Sequence, residues 1–207
     1  MVTLARKYNC SLVEASYKKV ITNHTRKRKS ISESILINVN ENKDFIQNHL
    51  GMVWNKLYKK ELIQNLRFPK NLRYEDNAFI YPLLTKTDKV VVTTEVLYFY
   101  RIHLKSFMLK ASLIPNNTIM DLYKIANMIK KRCVQLGTYK KYQDIIDYII
   151  QEKTFDAMLQ ASTWIKISHR DKKKLITALY SYNKEHYNMP EIKKTNYIEI
   201  EFQNINE

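Results

Sequence analysis

Glycine is nearly absent from this chain: Gly51 and Gly137 are the only two in 207 residues, against an average usage of roughly 7%. A Walker loop or a dinucleotide fingerprint needs two or three glycines within a few residues, because backbone must approach phosphate closely. Neither can be built from this sequence. The two cysteines, Cys10 and Cys133, are too few for a disulfide framework or a Cys-rich zinc site. No Pro-, Gly- or Ser-rich linker divides the chain, and no repeat period is present. No window approaches the roughly 18 uncharged apolar residues of a membrane span. Arg6 and Lys7 stand where a signal peptide would need its apolar stretch. The expectation is a cytoplasmic protein with reduced thiols, or one held peripherally at the inner face of a membrane through its basic residues.

Positive charge is what the chain has in excess. Thirty-five Lys and Arg against twenty Asp and Glu leave +15, with a pI near 9.6. Such a balance attracts nucleic acid, an acidic membrane surface or phosphorylated substrates. The cations are spread along the whole chain, and no zinc-finger, helix-turn-helix or RNA-recognition signature accompanies them. No specific nucleic acid is therefore expected as a partner. A basic nucleic-acid-binding protein, or a catalytically dead interaction module, stands as the alternative reading. Hydrophobic residues make up 45% and aromatics 12%, enough for a packed core.

Periodicity divides the chain near residue 112. Before it, residues 2–8 read as a short helix and 11–17 as a strand, followed by a basic run at 18–30 that reads as a mobile loop. Residues 40–50 read as a helix capped by Asn40, and 52–66 as a strand edge followed by a helix. Residues 75–87 form a helical pattern with two acids in its first turn and Pro82 inside it. Residues 89–94 and 96–102 read as two short β-branched and aromatic strands. After Pro115 the pattern is helical: 117–136 stopped by Gly137, then 141–166, then 168–187 capped by Ser168, with a last small strand at 198–202. The expected fold class is α/β, a mixed sheet with flanking helices, followed by an all-helical C-terminal segment. The division is 1–112, 113–190 and a tail at 191–207, with the helices forming a separate bundle.

Three short pieces stand in fixed order within the first part. They are Trp54-Asn55-Lys56-Leu57-Tyr58, then Arg67-Phe68-Pro69 with Glu75-Asp76-Asn77-Ala78-Phe79, then Leu97-Tyr98-Phe99-Tyr100-Arg101-Ile102-His103 with Ser106. Taken singly, an adjacent Glu-Asp is a helix-capping arrangement and Trp54 a core residue. In this order and spacing they resemble the acceptor-side half of bacterial family 2 glycosyltransferases of the GT-A fold, over roughly residues 1–108. Complete members of that family carry a nucleotide-binding half with an Asp-x-Asp motif. No Asp-x-Asp occurs here, the one acid-x-acid triplet being Glu199-Ile200-Glu201. The resemblance therefore describes a C-terminal fragment, inactive alone.

The resemblance implies roles for particular residues. Asp76 is the base that takes the proton of the acceptor hydroxyl, and Glu75 orients a sugar. Trp54 and Lys56 shape the acceptor pocket. Arg101 and Ser106 contact the pyrophosphate of a nucleotide-sugar donor, and His103 is a ligand to a divalent metal, Mg or Mn, in the complete enzyme. The acceptor would be a glycan, a polysaccharide or a lipid-linked sugar. The neighbouring charge of Glu75 would raise the Asp76 pKa while the helix start would lower it, and sequence leaves the net direction open.

Overall fold

The computed structural model describes residues 1–20, 33–102 and 114–187. The architecture is mixed α/β: a four-stranded mixed sheet with flanking helices and a helical C-terminal region. Helix α1 (Val2–Tyr8) leads into strand β1 (Leu12–Val20). Strand β2 (Ser34–Asn38), helix α2 (Asp44–Gln47), strand β3 (Lys56–Tyr58), helix α3 (Lys60–Ile63), helix α4 (Asn77–Thr85) and strand β4 (Lys89–Arg101) follow. Helices α5 (Thr118–Gln135), α6 (Gln143–Ser162) and α7 (His169–Tyr187) complete the described chain, with a 3₁₀ turn at Tyr139–Tyr142.

The strand order is β2-β4-β1-β3. The two central strands, β1 and β4, run parallel with Leu12 opposite Val90 and Val13 opposite Val91. The edges are antiparallel, β3 on β1 and β2 on β4. Alternation sends Leu12 and Val90 to one face and Val13 and Val91 to the other, and all four are fully buried. On the first face they meet Ile80, Leu83 and Leu84 of α4, Ile125 and Ile129 of α5, and Ile146 and Ile149 of α6 in one core. The expected separate bundle is therefore not separate. Helices α5 and α6 close the core of the sheet with Ile125, Ile129, Ile146 and Ile149. A second cluster, built from Ile119, Leu122, Ala157, Met158, Trp164 and Ile176, ties α7 to α5 and α6.

Several elements differ from their sequence pattern. The two strands expected at 89–94 and 96–102 are one, β4, irregular where they were expected to part: Ala15 pairs with Thr93 but Ser16 with Val96. Such a bulge raises local twist without ending the strand. Residues 40–50 hold only the single turn α2, since Asn40 is not a cap. Its amide donates to Asp88 and its oxygen accepts from Tyr142 Oη at 2.9 Å. Strand β2, unforeseen, is five residues of edge. The basic run expected as a loop begins inside β1, and its residues 21–30 lie outside the described residues, as does the strand expected at 198–202.

Helix α4 is buried along almost its whole length, from Ala78 to Thr85, which requires its broken hydrogen bonding to be repaired internally. Pro82 lacks the N–H that would reach the carbonyl of Ala78. Arg132 on α5 supplies the missing donor, placing one guanidinium nitrogen on Ala78 O and the other on Arg67 O. Arg132→Met should therefore cost about 1–3 kcal/mol, the range for a buried acceptor left unpaired. In a Pro82→Ala background, where the N–H returns, the same substitution should cost less. Urea unfolding of the four proteins measures both terms.

Candidate active-site cleft

The helix α4 start and the β1/β4 pair enclose a common cleft. A cavity of about 560 Å³ is lined by Tyr17, Lys19, Trp54, Arg73, Glu75, Asp76 and Tyr100, among others. A second, of about 770 Å³, adds Phe68, Pro69 and Asn71 and shares Trp54, Arg73, Glu75 and Asp76. The shared walls make them one groove.

One wall is aromatic. Parallel register sets Tyr17 opposite Tyr98 and Lys19 opposite Tyr100, so alternation puts these four side chains on one face of the sheet. Trp54, from the loop before β3, stacks on Tyr98 at 4.3 Å and Tyr100 at 5.5 Å, and meets Tyr17 edge-on at 5.0 Å. Offset stacks and edge contacts of this kind are the favoured aromatic arrangements. Trp54 is half-buried and remains part of the cleft wall.

The same cleft holds two acids. Asp76 is the N-cap of α4 and precedes it, so the two acids expected in the first turn stand just outside the helix. Asp76 Oδ1 accepts from both the backbone N–H and the side-chain amide of Asn77, each at 2.9 Å. Burial pushes the Asp76 carboxyl above the ordinary aspartate range, and the Glu75 charge adds to this; the Asn77 donors oppose without reversing it. The direction that sequence left open is thus upward. Glu75 is exposed beside it.

The turn carrying the two acids is conformationally special. Asn71 and Tyr74 both have left-handed backbone, with φ of 56° and 60°, which for a residue as large as Tyr is uphill and is found where surroundings impose it. Gly51 is required against this turn. Its φ is +75°, and a Cβ there would stand 2.5 Å from Asn77 Oδ1, the side chain that holds Asp76.

Lys56, expected in the acceptor pocket, is elsewhere. Its side chain is fully buried beneath the cleft, with Nζ donating to Asn55 Oδ1 at 2.7 Å and 3.4 Å from Glu14 Oε1. An ammonium group without solvent needs such partners. Glu14 Oε2 in turn lies 3.2 Å from His49 Nε2. Because His49 Nδ1 accepts from Gly51 N–H, Nε2 carries the proton and donates it to Glu14. Burial pushes the Glu14 carboxyl up, but the His49 hydrogen bond and the Lys56 charge outweigh it, leaving the pKa below the ordinary range. Burial lowers His49 despite its bond to Glu14, keeping the ring neutral.

Of the residues expected at the site, the structure brings together Trp54, Glu75 and Asp76. Arg101 ends β4 exposed and directly follows the cleft-facing Tyr100, so strand alternation directs it to the other face. His103 and Ser106 lie outside the described residues. Among the described residues no group of three His, Cys, Asp or Glu side chains is placed to hold a metal, and none of the described helices is long and apolar enough to cross a membrane. Lys19, Arg73, Tyr17 and Tyr100 were not foreseen. For the three on the sheet the signal was present as the alternating pairs Tyr17/Lys19 and Tyr98/Tyr100, which join only through the parallel register. No family model matches the chain, and no curated protein matches it.

Two outcomes follow from the buried charges and the glycine. Lys56→Met should lower unfolding free energy by about 1–3 kcal/mol, the cost of removing one partner from a buried polar group, since Glu14 keeps His49 and Asn55 as donors. Adding Glu14→Gln should return part of it. Gly51→Ala should destabilise by about 1–2 kcal/mol from backbone alone, with amide shifts at Asn77 in NMR spectra reporting the displaced side chain.

Proposed function

We propose that this chain supplies the acceptor side of an inverting glycosyl transfer, from a nucleotide-sugar donor to a glycan or lipid-linked acceptor. The observation that carries the reading is Asp76: a carboxylate of raised proton affinity in a cleft that it shares with an aromatic wall. A sugar ring presents an apolar face and a rim of hydroxyls. The face suits the Trp54 and Tyr100 wall, and the rim suits Glu75 and Asp76. A nucleic-acid backbone would meet two carboxylates here, which disfavours the alternative reading of the basic charge.

In the proposed reaction the acceptor hydroxyl gives its proton to Asp76 as its oxygen bonds to the anomeric carbon of the donor. The bond from that carbon to the diphosphate breaks, and its electron pair leaves with the diphosphate. Asn77 occupies Oδ1 with two donors, which leaves Oδ2 as the oxygen to receive the proton. A base poised by burial is suited to this step. Glu75 would hold the acceptor, and the cations Lys19 and Arg73 would face the charge building on the diphosphate. The family's metal enters no step here, since the described residues do not form a ligand set for it. This reading leaves the nucleotide-binding half to another polypeptide or segment.

Chromosomal Asp76→Asn in the source organism tests the reading, with Glu41→Gln as an exposed-carboxylate control. Asp76→Asn should remove or shorten a surface glycan as fully as deletion of the gene, read by mass spectrometry of the released sugars; an unchanged glycan profile would overturn the assignment. The purified protein adds a pH signature. An acid whose folded pKa is raised contributes stability that is complete below about pH 4, the ordinary aspartate value, and is lost as pH rises through the folded value. Asp76→Asn, uncharged throughout, should therefore melt higher than wild type at pH 7, with the difference closing below pH 4.

A further inference from the structure

Asp76 is held by Asn77, but the turn that aims both is held from the far side by the C-terminal helices. Tyr74, the left-handed residue two before Asp76, donates its hydroxyl to Gln160 Oε1 on α6 at 2.9 Å. Gln160 Nε2 donates in turn to Thr118 Oγ1 at the start of α5, at 2.7 Å. Both ends of the Gln160 amide are thus engaged, and its orientation is fixed. One residue earlier, the backbone N–H of Arg73 donates to Asp121 Oδ2 of α5 at 3.2 Å. The carbonyl of Tyr74 then accepts from the Asn77 N–H and from the Asn77 amide. The line of contact runs from α6 through Tyr74 and Asn77 to the Asp76 carboxylate.

We propose that Gln160 is a positioning residue for the Glu75–Asp76 turn, fixing through Tyr74 where the Asp76 carboxylate stands in the cleft. A Tyr does not adopt φ of 60° by preference; the conformation persists because contacts over-determine it. The anchor for those contacts is α6, whose Ala157, Met158 and Ala161 are packed in the second hydrophobic cluster around Gln160. The charged and titratable groups coupled to Asp76 include Glu75, Lys56, Tyr58 and Tyr81, and the cations Lys19 and Arg73 line the same cleft. None of these belongs to α5 or α6; the acids Asp121, Glu152 and Asp156 of those helices are coupled to Tyr74 or Tyr81, and Gln160 itself is neutral, so the hold of Gln160 on the turn is geometric. The purpose of this positioning rests on reading Asp76 as the base, but the geometry stands apart from that reading.

Carbon-detected NMR titration of the Asp76 carboxyl in the full chain tests the proposal. In wild type the midpoint should lie above the ordinary aspartate value of about 3.9. In Gln160→Leu and in Tyr74→Phe, each of which removes the Tyr74–Gln160 bond, the released turn should admit water and the midpoint should fall toward that value. Gln160→Glu keeps an acceptor for the Tyr74 hydroxyl and should hold the midpoint at or above the wild-type value, whereas in Gln160→Glu/Tyr74→Phe, which keeps the added charge but not the bond, the midpoint should fall. A general loosening of the fold would not distinguish Gln160→Glu from Gln160→Leu. The proposal is overturned if all the proteins titrate alike, or if Gln160→Glu follows Gln160→Leu. Should Gln160→Leu fail to fold, Tyr74→Phe breaks the same bond from the other side and decides the matter. Success here with an unchanged surface glycan in the Asp76→Asn strain would retain the positioning and discard the transferase.

Discussion

The parallel pairing of β1 with β4 is the constraint on which the rest of the structure hangs. Parallel neighbours cannot be joined by a tight turn; the chain must cross over and return. Here the crossover runs from Val20 to Lys89 and contains β2, β3 and the helices α2 to α4. Everything that forms the cleft other than the strand faces is mounted on it: Trp54 before β3, the Phe68-Pro69 corner, and the Glu75–Asp76 turn before α4. The pairing also sets the aromatic wall, since a shift of one residue in register would turn Tyr98 and Tyr100 away from Tyr17. The irregularity that follows, Ser16 opposite Val96 and then Tyr17 opposite Tyr98, is therefore consequential, because the step over Leu97 sets Tyr98 and Tyr100 on the face of Tyr17 and Lys19.

Two buried polar systems support the crossover from beneath. Glu14, His49, Asn55 and Lys56 bind three separate segments to one another, and the His49 carbonyl accepts from Tyr81 Oη at 2.8 Å, which adds α4. Arg132 repairs the gap that Pro82 opens in the same helix. In both cases an energetically expensive group is tolerated because its partners are supplied from a distant part of the chain. Such arrangements select one packing over near alternatives more than they add stability.

Much of the secondary structure was legible because it is local. Helix α1 and the C-terminal helices carry their own periodicity, stop and cap: Gly137 has φ of 70° beyond α5, and Ser168 Oγ accepts from the Asp171 N–H at the start of α7. What could not be read is long-range. Lys56 looks like a pocket residue beside Trp54, and only its contact with Glu14, forty-two positions earlier, reveals it as buried. Arg101 follows Tyr100 in a motif, yet the strand turns the two to opposite faces. The upward shift at Asp76 depends on burial, which sequence does not state. Separation of the helices from the sheet was expected because the texture changes after Pro115, but a change of texture marks a change of element and not of core.

The burial of Lys56 has a consequence for the chemistry of the chain as a whole. Amine-acylating reagents attack only a nitrogen that they can reach, and the exposed side chains of Lys124 and Lys130 are within reach in the native state. Lys56, with its side chain wholly enclosed and its nitrogen tied to Asn55 and Glu14, becomes reachable only when β1 and β3 come apart. The extent of label at this one nitrogen, against label at the others, therefore counts how often the sheet opens.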